Sequence, residues 1–174
     1  MKLVKMTISQ LPLVPDLHDN NEKLLSSSLS FGKDIFQRKG ELMPMFIGVS
    51  NAHNVVYVVG APWGDDVEKD AMTESIGVMF RQFNVQRYAL ITEVWMVVVK
   101  DEKDVMRPSE HPDRKEAIQV FVIDNNGQMI EAGYWIERDE MGKVSLTKMP
   151  PTGVTIHSGR MVELLIDPSK FTKH

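Results

Sequence analysis

Apolar side chains recur along this chain with two periods, and the change from one to the other divides it. Between Asn20 and Gly40, Leu24, Leu25, Leu29, Phe31, Ile35 and Phe36 return at helical spacing. Asn20 or Asn21 can cap that helix and Gly40 can stop it. Ser26-Ser27-Ser28 and Gly32 lower its intrinsic propensity, so its stability has to come from docking its apolar stripe. A second helix is expected from about Asp65 to Phe83, where Met72, Ile76, Met79, Phe80 and Phe83 form one face. Asp65, Asp66 and Glu68 lie in its first turns and complement the helix dipole. Gly77 inside it costs about 1 kcal/mol relative to alanine, which points to a close neighbour.

The remaining runs read as strands. Met43–Ser50 and Asn54–Val59 are short and β-branched, with Asn51-Ala52-His53 as a hairpin connection. Tyr88–Lys100 is long and apolar on both faces in its middle, as expected of a central strand covered on each side. Glu116–Asp124 and Gln128–Asp139 form a hairpin through Asp124-Asn125-Asn126-Gly127, whose Asn-Gly pair supplies positive φ angles. Glu140-Met141-Gly142 turns into Val144–Thr147, and Pro150 and Pro151 break the pattern. Residues 1–18, with Pro12 and Pro15, read as an extended arm without helix. Residues 151–174 read as an extension packed on the domain, and 156–171 fit either a short helix or an edge strand.

The order helix, two strands, helix, four strands predicts a single α+β domain over residues 1–174. It has a mainly antiparallel sheet of about six strands and a helix packed on one face. A doubly wound parallel sheet would need helices between the later strands, where hairpin signals stand instead.

Composition narrows the chemistry. A hydrophobic fraction of 43% with 25% charged residues is globular, and a chain of 174 residues can bury a core without staples. Cysteine is absent, which removes disulfides, thiolate nucleophiles and Cys-ligated metal. The net charge is −4, and the lysines and arginines are scattered among acids instead of forming a stripe, so nucleic acid is not the expected partner. No apolar run approaches membrane-spanning length, and no signal-like stretch follows Met1. A cytoplasmic protein without a cofactor is expected. The twelve methionines sit mostly inside periodic segments and read as core filling.

Ionisable residues concentrate between two strands, in Arg107-Pro108-Ser109-Glu110-His111-Pro112-Asp113-Arg114. Glu110, His111 and Asp113 are usable by a hard or borderline metal. Their contiguity and spacing do not match a known metal loop, so they are weak ligand candidates and no metal is expected. Glu93 shares a strand face with Ile91, Trp95 and Val97. A carboxylate there must find a partner or shift its pKa upward. Arg107 or Arg114 could pair with it; alternatively Glu93 and His111 could meet as an acid–base pair. Ser109 lacks the turn context of a hydrolase nucleophile. Gly60–Asp66 lacks the spacing of a phosphate loop and carries acids where an anion would sit. Trp95, Tyr134 and Trp135 fall on neighbouring strands. Trp135 shares its face with Glu131, Gly133 and Glu137, which makes it, with Arg114, a candidate binding residue.

Thr92-Glu93-Val94-Trp95 on a strand, followed by Pro108-Ser109-Glu110-His111-Pro112-Asp113-Arg114-Lys115-Glu116, resembles a group of small uncharacterised bacterial and bacteriophage proteins. The resemblance covers the middle third of the chain. It implies a phage or bacterial origin and no particular activity.

Two functional readings follow. The first is a non-enzymatic module acting through a protein partner or self-association, using strand edges or the Trp135 face. The alternative is a small metal-dependent or acid–base enzyme gathering Glu93, Glu110, His111 and Asp113.

Overall fold

Local chemistry sets the helix boundaries. In the computed structural model, which describes residues 5–97, 103, 106–150 and 164–165, the Asn20 side chain accepts the Lys23 backbone N–H at 2.8 Å and opens α2 (Asn21–Lys39). Gly40 closes that helix with φ of +75°, a conformation that favours glycine. Asp65 caps α3 (Asp66–Gln82) by accepting the Glu68 N–H at 2.8 Å, while Glu68 Oε2 accepts the Gly64 N–H at 2.7 Å. The Asp65 bond satisfies a donor that the helix itself leaves unmatched, and the Glu68 bond ties down the residue before the cap.

The strands are β1 (Thr7–Pro12), β2 (Met45–Ser50), β3 (Val55–Gly60), β4 (Arg87–Met96), β5 (Lys115–Asp124), β6 (Met129–Arg138) and β7 (Val144–Lys148). They form one antiparallel sheet in the order β1-β3-β2-β4-β5-β6-β7. The fold is α+β, with seven strands where the sequence pattern gave about six. The extra strand is β1. The segment expected as a free arm is extended, but it pairs with β3 along the sheet edge. Helix was not expected before residue 19, yet α1 (Pro15–His18) forms one turn there. Proline is tolerated in a first helical turn, and the His18 imidazole accepts the Val14 N–H at 3.0 Å.

Alternation along the strands sends side chains to two cores. Met45, Ile47 and Val49 of β2 join Ala89, Ile91, Ile118 and Val120 beneath Leu24, Leu29 and Phe36 of α2. Phe46, Tyr57, Val59, Tyr88 and Leu90 face the other way and meet Met72, Ile76 and Phe80 of α3. The helix expected on one face is therefore joined by a second on the other, with one long helix on each. β2 is buried at every position, which requires both. Gly48 lies directly under Phe80, where a Cβ would come within 2.7 Å of the ring. The close neighbour expected at Gly77 is Leu164, whose carbonyl accepts from Arg81 Nη1 at 2.8 Å. Leu164 and Leu165 form a turn, and the rest of 151–174, including the choice between helix and strand for 156–171, lies outside the described residues. So do residues 98–100, which the sequence pattern assigned to the long central strand. Among the described residues no helix is long and apolar enough to cross a membrane.

Candidate functional site

The β4–β5 register sets Glu93 opposite Ile118 and Trp95 opposite Glu116, all on the face covered by α2. Just beyond that helix, the Leu42 backbone N–H donates to Glu93 Oε2 at 3.1 Å. Burial pushes the Glu93 pKa above the usual glutamate range and the Leu42 N–H works against that shift. The Glu116 and Glu41 carboxylates push it further up, and the Arg138 guanidinium pulls it down. Arg138 itself holds Glu116 through two bonds, Nε to Oε2 at 2.9 Å and Nη2 to Oε1 at 3.3 Å. The Glu116 carboxylate raises the Arg138 pKa in return.

Neither Arg107 nor Arg114, the expected partners of Glu93, is among the charges acting on it. Arg114 lies instead over the Trp95 ring, its guanidinium carbon 4.6 Å from the centroid, and donates from Nη1 to the Ser109 carbonyl. A planar guanidinium stacks well on an indole, and here it also ties down the loop. The loop opens with a single 3-10 turn, Pro108–Glu110. His111 Nδ1 accepts the Asp113 N–H at 3.0 Å, and the Arg114 N–H donates to the His111 carbonyl at 3.2 Å. With Nδ1 as an acceptor, the ring proton of the neutral imidazole sits on Nε2.

Glu110 and Asp113 are exposed, His111 is half-buried, and Glu93 lies within the sheet. Among the described residues, no three His, Asp or Glu side chains come close enough to hold a metal ion. Glu110, His111 and Asp113 therefore form no three-ligand metal group among the described residues, and Glu93 accepts the Leu42 N–H.

The aromatic residues divide between the faces. Tyr134 lies on the α2 side, with Lys33 Nζ 5.1 Å from its ring centroid. Trp135 is half-buried on the opposite side, with Lys115 Nζ 5.4 Å from its centroid. Both tryptophan–cation pairs border an open groove of about 330 Å³ at the end of the sheet, where Glu116, Ile136, Glu137 and Arg138 complete the lining. The Gly60–Asp66 joint serves α3 capping, since its Gly64 N–H is taken by Glu68.

Two features escaped the sequence reading. One is the edge position of β1. The other is Gln119, a lone amide in the apolar run Ala117-Ile118-Gln119-Val120, whose Oε1 is buried without a hydrogen-bond partner. Its placement in that run was the available signal.

An antiparallel seven-stranded sheet with a helix on each face and a cation-capped aromatic end defines an α+β protein. The family model described as bacteriophage lambda protein ea47 matches residues 3–157, and the chain belongs to that family. No curated protein and no solved structure matches it.

Proposed function

We propose that this phage-family protein is a non-enzymatic module that self-associates in the cytoplasm, two copies pairing antiparallel through β1. The observation that carries this reading is an edge strand, Thr7-Ile8-Ser9-Gln10-Leu11-Pro12, that is exposed along its whole length and carries no charge. Sheet edges that stay single are commonly blunted by lysine or other charges. The opposite edge, β7, ends in Lys148. Ile8 and Leu11 of β1 are 52% and 50% exposed, a large apolar content for a free edge.

The backbone geometry selects a register. Leu13 N–H donates to the Asn54 carbonyl at 3.3 Å, so the odd-numbered residues of this segment direct their backbone groups toward β3. Ile8 and Gln10 therefore direct theirs outward. About a twofold axis at Ser9, Ile8 of one copy faces Gln10 of the second, and each outward N–H meets a carbonyl. Pro12, which lacks an N–H, is left at the end of the ladder where only its carbonyl is needed. The enzyme alternative requires Glu93, Glu110, His111 and Asp113 in one cleft, and nothing among the described residues supports that grouping.

Sedimentation velocity of the full chain tests the reading. Wild type is expected to sediment as a dimer. Gln10→Pro deletes an outward donor while leaving the β3-facing bonds intact, and is expected to sediment as a monomer with an unchanged far-ultraviolet spectrum. A monomeric wild type, or a Gln10→Pro variant that stays dimeric, would overturn it.

A further inference from the structure

Lys23, Ser26, Ser27, Ser30, Phe31 and Asp34 recur at helical spacing along α2 and form one stripe. Leu29, Gly32 and Phe36 turn toward the sheet, so this stripe points away from it. Its middle is an open groove of about 480 Å³ whose other wall is α1, with Asp16 and Leu17. Ser27 Oγ donates to the Leu17 carbonyl at 2.9 Å and fixes that wall beside the helix. Phe31 and Leu17 stand out of the groove as apolar groups, 38% and 45% exposed. Lys23 and Asp34, at the two ends of the stripe, are bonded through their backbones to Asn20 and Arg38. Their charged groups have no partner among the described residues.

The order of these residues is complementary to its own reverse. A cation stands at one end and a carboxylate at the other, with serines between them. Placed parallel to a second such helix, the stripe would set Lys23 against Lys23 and Asp34 against Asp34. Placed antiparallel, it sets opposite charges together at both ends.

We propose that a second copy of this chain packs on this face, the two α2 helices running antiparallel about a twofold axis between Ser27 and Ser30. Lys23 of each copy then stands level with Asp34 of the second, and the ion pair forms twice. Ser27 and Ser30 meet at the centre, where short side chains let the helix axes approach closely. Phe31 of each copy comes level with Ser26 of the second, beside Ser27, where it enters the groove against Leu17. The contact goes beyond the β1 pairing. Helix α2 lies over β4, β5 and β6, away from the edge held by β1, so both contacts can form on one chain and β1 dimers can be joined through α2. One helix face per copy buries less than about 1,200 Å², the range of weak and transient association. The α2 contact therefore forms only at concentrations well above those that suffice for β1 pairing.

Sedimentation equilibrium of the full chain carrying Gln10→Pro, which removes the β1 contact, reads the α2 contact separately. This chain is expected to be monomeric at low micromolar concentration and to dimerise as the concentration approaches millimolar. Adding Lys23→Asp or Asp34→Lys sets like charges together and should weaken that association about tenfold or more. An equimolar mixture of those two variants places opposite charges together at both ends again and should recover the association. Phe31→Gln in both members of the mixture should abolish that recovery, which separates docking in the groove from attraction between oppositely charged chains. All these positions are on the surface, and unchanged far-ultraviolet spectra confirm that the variants fold. A chain that stays monomeric throughout, or a mixture that associates no better than either variant alone, overturns the proposal. If the β1 reading fails instead, wild type and Gln10→Pro behave alike at low concentration while the charge-reversal comparison stands.

Discussion

Glu93 Oε2 accepts the backbone N–H of Leu42 at 3.1 Å, tying the middle of β4 to the chain just beyond α2. Leu42 is buried, so its N–H needs a partner, and the nearest strand supplies a carboxylate instead of a carbonyl. The bond holds that stretch against the sheet. It also places an acid where burial and two neighbouring carboxylates disfavour its charge.

This arrangement has a defined pH signature. The folded-state pKa of Glu93 is raised, so in the window above the ordinary glutamate range the folded chain binds more protons than the unfolded one. Glu93 therefore destabilises the fold when ionised, and that cost disappears as pH falls through its folded pKa. Glu93→Gln keeps an acceptor for Leu42 and removes the charge. Its stability should exceed wild type by less than about 1 kcal/mol at neutral pH, because Glu93 remains partly solvated. The difference should shrink on acidification. Urea unfolding of both proteins across that window checks the sign, and a difference that grows toward acid pH would contradict it.

Gly48 should tolerate no side chain. A Cβ would lie 2.7 Å from the Phe80 ring, which is fully buried between α3 and the sheet. Gly48→Ala forces the ring or the helix to move and should cost about 1–3 kcal/mol. Chemical denaturation measures this directly, and a neutral substitution would mean that α3 shifts freely on the sheet.

Arg114 should act on the loop more than on stability. Replacing it with alanine removes both its stacking on Trp95 and its bond to the Ser109 carbonyl. The group is exposed, so the loss should stay within about 1 kcal/mol. Trp95 fluorescence should become more accessible to acrylamide in Arg114→Ala when Trp63 and Trp135 are replaced by phenylalanine in both proteins. Unchanged quenching would show that the stacking does not shield the ring.

The candidate site was legible only in its parts. Glu93 was identifiable as a sheet-facing acid because its face is set by alternation, a property of adjacent residues. Its true partner, Leu42, is 51 residues away and offers a backbone N–H that no sequence motif marks. The ionisable loop was equally visible, yet among the described residues it forms no three-ligand metal group. Arg114 found an indole where a carboxylate was expected, because Trp95 on β4 lies nearer the start of β5 than Glu93 does.

By itself the sequence determined the two long helices, the hairpins and the antiparallel α+β class. Those features follow from spacing between near neighbours, from caps such as Asn20 and Asp65, and from the turn at Asn126-Gly127. Tertiary structure decided that β1 closes one edge, that α2 and α3 take opposite faces, and that Gln119 is buried with an unsatisfied oxygen. Each of these depends on which distant surfaces meet when the chain is packed. Periodicity says that a face must be covered, while only the packed chain says what covers it.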